Sequence, residues 1–507
     1  MDEQRLAAYL QLIQALLECP NGANDILNAN RELVDANFVQ VMEAEAEKMA
    51  AEGNSKAAWL QNLAANLANY VTSTATAEEY LFFLIEVLQA TSYSDKNPQV
   101  VYPNLQQNFD KLDLNFALIL QAWATSKFIE ATSEEAAYLA AVIGNFGNLI
   151  QEFPLGRRAW NLEIGIACYS TASEVYTRED YPKQWAGAQN NLGNAYRDRI
   201  EGVRAENIQG AIACYRLALD VYTPEDYPEQ WATVQNNLGI AYSYRIEEVR
   251  AKNIEDAIAC YRLALDVYTH EDYPEQWALT QNNLGLAYTD RIEGVRAKNI
   301  EDAIACYRLA LDVYTHENYP EYWAMTQNNL GTAYGDREGA MAKNIEDAIA
   351  CFREALKVRT PDNYPEDWAA TQNNLGNAYS DRIEGVRAAN IEEAIACYRE
   401  ALKVYTPEAY PEKWARTKNN LGTAYGDREG VRAKNIEDAI ACYLLALDVY
   451  TREDYPEQWA MTQNNLGNAY GDREGVRAKN IEDAIACYRL ALEIRTPAAF
   501  PLNCLTT

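Results

Sequence analysis

The chain has 507 residues, is 49% hydrophobic and 11% aromatic, and carries a formal net charge of −30. That length exceeds one compact core, so several domains or a solenoid are expected, and the apolar content excludes a disordered chain. No run of about 18 apolar residues occurs to form a membrane-spanning helix. The charge spreads as roughly −10 before Thr132 and −20 after it, and such a surface repels phosphate backbones and anionic membranes. Nucleic acid and membrane are therefore poor partners and basic segments of proteins are better ones, unless the charge only keeps a Tyr-rich array soluble.

Residues 1–131 predict an all-helical N-terminal domain. Apolar residues recur at helical spacing, as at Leu6, Leu10, Ile13 and Leu17. Helices are expected near 3–18, 34–52, 55–72, 77–91 and 113–130. The breakers are Pro20-Asn21-Gly22, Gly53-Asn54-Ser55, Thr72 to Thr76, and Ser92 to Pro103. The first helix begins with acidic residues and mixes Gln and Glu into its apolar part, unlike a signal peptide, so the cytoplasm is the expected compartment.

From about residue 132 the chain repeats. Trp marks the phase at Trp185, Trp231, Trp277, Trp323, Trp368, Trp414 and Trp459, in steps of 46, 46, 46, 45, 46 and 45 residues. A fixed period of this size means a repeat array. Units fall near 132–176, 182–222, 228–268, 274–314, 320–359, 365–405, 411–450 and 456–495. The degenerate first unit suits a cap on the stack.

Each unit holds two helical patterns. The first opens with Pro, tolerated in a first turn, and runs through Leu284, Gly285, Ala287 and Tyr288. The second runs from Asn299 to about Tyr314, with Asn299 as its expected N-cap and Ile300, Ala303, Ile304 and Tyr307 on one face. The units ending near 359 and 450 each lack one Ile in the inner linker, an indel that a loop absorbs.

Leu284-Gly285-x2-Tyr288 and Ala303-x3-Tyr307-x2-Ala310 resemble the tetratricopeptide repeat, with both linkers lengthened. The family's first-helix Trp position holds Gln281 here, with Trp277 one turn earlier, and YTHENYPE replaces the family's terminal Pro. The paired asparagines before Leu-Gly look most like the kinesin-light-chain type. The N-terminal part is similar to cyanobacterial proteins whose repeats precede a caspase-like CHAT protease domain. The resemblance implies an all-α, right-handed superhelical solenoid of about eight helix pairs after the helical N-terminal domain. Residues 496–507 align with the start of a further unit, with Cys504 at the Trp position. The last second helix then lacks its usual cover, so either it associates with something, such as a second copy, or the polypeptide is part of a longer one.

Chemistry is sparse. The two histidines, His270 and His316, occupy a loop position that is Pro or Arg in other units. Eight of the ten cysteines sit at one repeat position, from Cys168 to Cys487. Packed helices lie about 8–10 Å apart and a disulfide needs Cα atoms within about 7 Å, so buried free thiols in a reducing compartment are expected. No phosphate-binding glycine motif, metal-ligand spacing or nucleophile–base pair is present, so no catalytic residue, cofactor or metal is expected.

Binding is better supported. With Leu284, Gly285 and Tyr288 facing the core, Asn282 and Asp290 fall on the opposite side. In the resembled family that side lines the concave groove. One row there is Asn190, Asn236, Asn282, Asn328, Asn373, Asn419 and Asn464; Asn194, Asn377 and Asn468 lie one turn on. A second row is Asp198, Asp290, Asp336, Asp381, Asp427 and Asp472, with Tyr244 the exception. Asparagine offers a peptide backbone both a donor and an acceptor. Units about 10 Å apart present one Asn for every three residues of extended peptide at about 3.3 Å each. The competing reading is that the amides bond across units, which suits the second Asn of each pair, such as Asn283. A carboxylate clamp would need Lys or Arg here, and only Arg416 and Lys418 break the row. A neutral or basic extended peptide is therefore the expected ligand of a non-enzymatic scaffold. The alternative is a sensor or adaptor arm of a larger protein such as a CHAT-type protease. Trp277 and its equivalents read as core, and Arg291 and its equivalents as partners for acids of the second helix.

Overall fold

A computed structural model of the chain describes residues 3–18, 26–27, 30, 33–34, 36–51, 56–57, 59–61, 63–64 and 76–495 save 247–248. The described residues are all-α. Most of the helix expected near 55–72, two of the breakers before it and the further unit expected at 496–507 lie outside them. The chain divides into two compact units, Met1–Val267 and Tyr268–Thr507.

In the first unit, α1 (Glu3–Glu18) and α2 (Ala36–Ala51) share a core of Tyr9, Leu12, Leu16, Phe38 and Met42. Then come α3 (Ala77–Tyr93), α4 (Pro98–Gln107) and α5 (Leu114–Glu130). Thr76 closes a capping box with Glu79 at the start of α3. Helix α4 occupies a stretch that reads as a breaker in the sequence. Its two prolines explain the misreading: Pro98 sits at the first helical position, where no N–H is needed, behind an Asn97 cap. Three helix pairs follow: α6 (Ser133–Glu152) with α7 (Arg158–Val175), α8 (Pro182–Asp198) with α9 (Arg204–Leu219), and α10 (Pro228–Tyr244) with α11 (Arg250–Leu265). Phe83, Phe116, Phe146 and Ile164 belong to one core, so α3 and α5 pack on the first pair.

The second unit holds five pairs: α12 (Pro274–Asp290) with α13 (Arg296–Val313), α14 (Pro320–Gly335) with α15 (Met341–Ala355), α16 (Pro365–Asp381) with α17 (Arg387–Ala401), α18 (Pro411–Asp427) with α19 (Arg432–Leu447), and α20 (Pro456–Asp472) with α21 (Arg477–Ile494). Each pair is fused at the Leu-Gly step. A Cβ on Gly285 would stand 2.7 Å from the Tyr307 ring, so only glycine lets the two helices close. At the pair's far end Tyr314 donates from its hydroxyl to the Glu275 carbonyl at 3.1 Å and packs on Tyr319. Trp277 packs with Ala278, Ala310, Tyr314 and Trp323, so the aromatic markers of the period are core.

The second helix begins three residues before the expected Asn299. Asn299 is buried inside the first turns, and its Nδ2 donates to the Glu293 carbonyl at 2.9 Å. Asn is generically a capping residue, but here it closes the linker around Gly294, whose φ of +83° suits glycine. Arg296, the first helical residue, donates to the Thr289 carbonyl at the end of the preceding helix.

Candidate functional site

Within each unit, the first helices of successive pairs touch one another more than the second helices do. The first helices therefore line the inner side of each stack, and their outward residues form the candidate face.

The first asparagine row is turned into the joints between pairs. Asn236, Asn282, Asn373 and Asn419 are buried, and Asn190, Asn328 and Asn464 are half-buried. In the first unit the Nδ2 of Asn237 donates to Asn190 Oδ1 at 3.1 Å. In the second unit Asn329 donates to Asn282 at 3.2 Å, Asn374 to Asn328 at 3.3 Å, Asn420 to Asn373 at 3.4 Å and Asn465 to Asn419 at 3.3 Å. The hydroxyls of Thr326 and Thr417 add donors to Asn282 and Asn373. At Asn328-Asn329, Asn373-Asn374 and Asn419-Asn420 the two members thus act together, one receiving from the next pair and the other giving to the previous one, whereas the buried Oδ1 of Asn464 has no partner among the described residues. A buried amide that makes its bonds stiffens the joint, whereas an unpaired one would cost free energy.

One turn further on, the side chains reach solvent. Leu286, Thr332, Asn377, Thr423 and Asn468 are exposed, and Asn194 is half-buried. Beneath them the tyrosines of the second helices pass the glycines and bring their hydroxyls to this face. Tyr215 donates to Asn194 at 2.7 Å, Tyr398 to Asn377 at 2.8 Å and Tyr488 to Asn468 at 2.8 Å. Tyr307 lies 3.3 Å from the Thr289 hydroxyl and Tyr443 lies 3.2 Å from that of Thr423. Burial pushes the Tyr443 phenol up to about 12, so these groups stay neutral donors near pH 7. The sequence already places Asn194, Asn377 and Asn468 on this face; the tyrosine hydroxyls beneath them it does not announce, and their signal is the fixed spacing from the Leu-Gly step.

The aspartate row is exposed along its whole length, from Asp198 to Asp472. Several of its members carry a cation from the preceding pair. Arg296 meets Asp336, Arg387 meets Asp427 and Arg432 meets Asp472, each at 2.8 Å. In the first unit Arg197 reaches Asp198 at 2.8 Å. Where the row has Tyr244 instead of Asp, Arg204 stands over the ring at 5.7 Å. The same charge is thus met by a π-face. Reasoning from the sequence missed these arginines, and the signal that could have found them is a 40-residue offset between Arg and Asp.

The arginines after the first helices reach back to an acid of the preceding second helix. Arg337 binds Glu301 through Nε at 2.7 Å and a terminal nitrogen at 3.0 Å, and Arg382 binds Glu346 at 2.6 and 2.9 Å. The Arg382 fork holds the Glu346 carboxyl below its ordinary range. Its planar geometry is spent on the joint.

The histidines stand at exposed loop positions with their rings edge-on to Trp277 and Trp323, 5.0 Å away. The cysteine ladder is buried, and burial pushes the Cys351 and Cys397 thiols up to about 12. A thiol so disfavoured as thiolate is a poor nucleophile at pH 7. Among the described residues no cluster of three or more metal-ligating side chains occurs, and no helix is long and apolar enough to cross a membrane.

Three helical-repeat family models match parts of the chain. Soluble NSF attachment protein matches residues 166–279, the tetratricopeptide repeat matches 368–407, and the Sel1 repeat matches 278–312, 324–357, 416–448 and 460–493. Among solved structures the chain is similar to BtubC (BKLC) from P. vanneervenii, at 21% identity and a TM-score of 0.37 over 48% of this chain and 90% of that one. It is also similar to the apo form of RapI, at 16% identity and a TM-score of 0.47 over 82% of this chain and 98% of that one. The Cut9–Hcn1 hetero-tetramer of the APC/C gives 14% identity and a TM-score of 0.37 over 96% of this chain and 92% of that one. No curated protein sequence matches the chain.

Proposed function

We propose that this chain, an array of tetratricopeptide-type helical repeats, is a protein-interaction scaffold without catalysis of its own, and that the inner face of its first helices holds an extended peptide of neutral or basic character. The observation that carries this reading is the exposed strip of Asn377, Asn468, Thr332 and Thr423 beside an aspartate row, set on joints fixed by buried amides. Such a strip offers repeated donors and acceptors to backbone amides and an acidic border to cations. We assign ligand contact to Asn194, Asn377, Asn468 and the aspartates, because they are exposed or half-exposed. The row from Asn190 to Asn464 supports them from the joints. An entropy cost already met by a rigid face favours the binding of flexible peptides.

The test is a titration of the full chain with two peptides of equal length, one rich in Lys and Arg and one rich in Glu, both labelled for fluorescence anisotropy. Tighter binding of the basic peptide is expected, and a double change of Asn377 and Asn468 to Ala should weaken it several-fold with helicity unchanged. Tighter binding of the acidic peptide would falsify the charge preference. An unchanged affinity in the double variant would remove these asparagines from the site.

A further inference from the structure

The copies of the repeat are nearly alike, so a copy that departs from the rest at one face marks a place where a ligand meets something different. In the second unit that copy is α14–α15. Its second helix begins with Met341 where α13, α17, α19 and α21 begin with Arg. The arginine at this position neutralises the aspartate 40 residues on, as Arg296, Arg387 and Arg432 each do at 2.8 Å. Counted in the same register, Met341 belongs to Asp381. Among the described residues no cation forms an ion pair with Asp381. Although exposed to solvent, its carboxyl is raised by the partial desolvation its neighbours impose, and the only cation offsetting this is Arg387, which is already paired with Asp427.

The same copy loses one more polar group at this face. Phe352 stands where the other second helices of the unit carry the tyrosine whose hydroxyl reaches the groove. Gly335 ends the first helix with open space around its Cα hydrogen, as around Gly426 and Gly471 in α18 and α20, and Met341 is 65% exposed. In the register of the other copies, the exposed Met341 takes the place of the arginine that would meet Asp381, a carboxylate with no ion pair among the described residues. A long cationic side chain fits such a place: its methylenes lie on a thioether and its charged head meets the carboxylate.

We propose that Met341 and Asp381 form a selectivity pocket that takes one lysine or arginine side chain of an extended peptide and so sets the peptide's register in the groove. The inference rests on the groove reading above and adds to it a single preferred position. Elsewhere in this unit the paired aspartates have their charge met already, so a ligand cation gains less there.

A random nonapeptide display library panned on the full-length protein tests this. Wild-type protein should enrich peptides with Lys or Arg at one fixed position. Met341→Arg, which returns the missing guanidinium, should reduce that enrichment at least tenfold while still recovering peptides. Asp381→Asn should do the same, and Glu354→Gln, whose carboxylate is paired with Lys357 on a second helix away from the groove, should leave it intact. Circular dichroism checks that each variant is folded. Recovered peptides with no fixed cation, or an enrichment that survives both Met341→Arg and Asp381→Asn, would overturn the pocket and leave the groove reading standing. Recovery of no peptide by any of the proteins would overturn the groove reading and the pocket with it.

Discussion

At the scale of single residues, the asparagines show how little a residue type says about its use. Asn373 and Asn377 lie one turn apart on α16, and sequence puts both on one side of the helix. Asn373 is 2% exposed and accepts from Thr417 at 3.1 Å and Asn420 at 3.4 Å. By contrast, Asn377 and its equivalent Asn468 are exposed, Asn377 accepting from Asn420 at 3.0 Å and Tyr398 at 2.8 Å, and Asn468 from Tyr488 at 2.8 Å. On α16 the next pair reaches both amides through Asn420 but buries only Asn373, and no periodicity within a helix reports that difference. Removing a buried acceptor leaves its donors without water or partner, which costs about 1–3 kcal/mol. Asn373→Ala should therefore destabilise the protein by about that amount in urea unfolding, while Asn468→Ala should cost under about 1 kcal/mol. Equal losses would mean that the joint amides contribute no more than a surface hydrogen bond.

At the scale of helices, most of the architecture was legible, because it rests on local rules. Pro at the first turn, Leu-Gly facing a tyrosine, and Ile at helical spacing fix the pair. The start of each second helix was not legible. In every second helix but α15 the first residue is an arginine, and Arg387, like Arg296, donates to a carbonyl seven residues back, across the linker. That interaction exists only once the hairpin has formed, so a cap preference cannot foresee it. The same helices also differ by their place in the array. Ile300 and Ile304 are 0% and 2% exposed, whereas Ile481 and Ile485 on α21 are 45% and 43% exposed. Truncating a fully buried Ile to Ala loses transfer energy and leaves a cavity, about 2–5 kcal/mol in all. Ile300→Ala should show that loss by thermal unfolding, and Ile481→Ala should lower stability by less than about 1 kcal/mol. If Ile481→Ala matches Ile300→Ala, α21 is covered in solution, and light scattering across concentration then tests whether a second copy covers it.

At the scale of the whole molecule, a net charge of −30 and the repetition of Cys and Tyr in every copy act in the same direction at alkaline pH. Burial moves the Cys260, Cys351 and Cys397 thiols from 9.0 to about 12, and Cys214 and Cys442 to about 11. Burial likewise moves the Tyr405, Tyr443 and Tyr450 phenols from 10.0 to about 12. In each case the folded state holds a proton that the unfolded state releases at lower pH. The stability these groups contribute is complete below pH 9, and it is lost as pH rises toward 12. Each newly formed anion also adds to a surface already strongly negative, so self-repulsion grows along with the proton release. The carboxylates do not oppose this, because Glu346, held low by the Arg382 fork, is ionised throughout that range. The midpoint of urea unfolding should stay level from pH 7 to about 8.5 and fall steeply above about pH 9. The tyrosinate absorbance of the buried phenols, such as Tyr405 and Tyr443, should appear together with the loss of helicity, not before it. Ionisation of the buried tyrosines near pH 10, their unperturbed value, with helicity intact, would show that water reaches the Leu-Gly joints in the folded state.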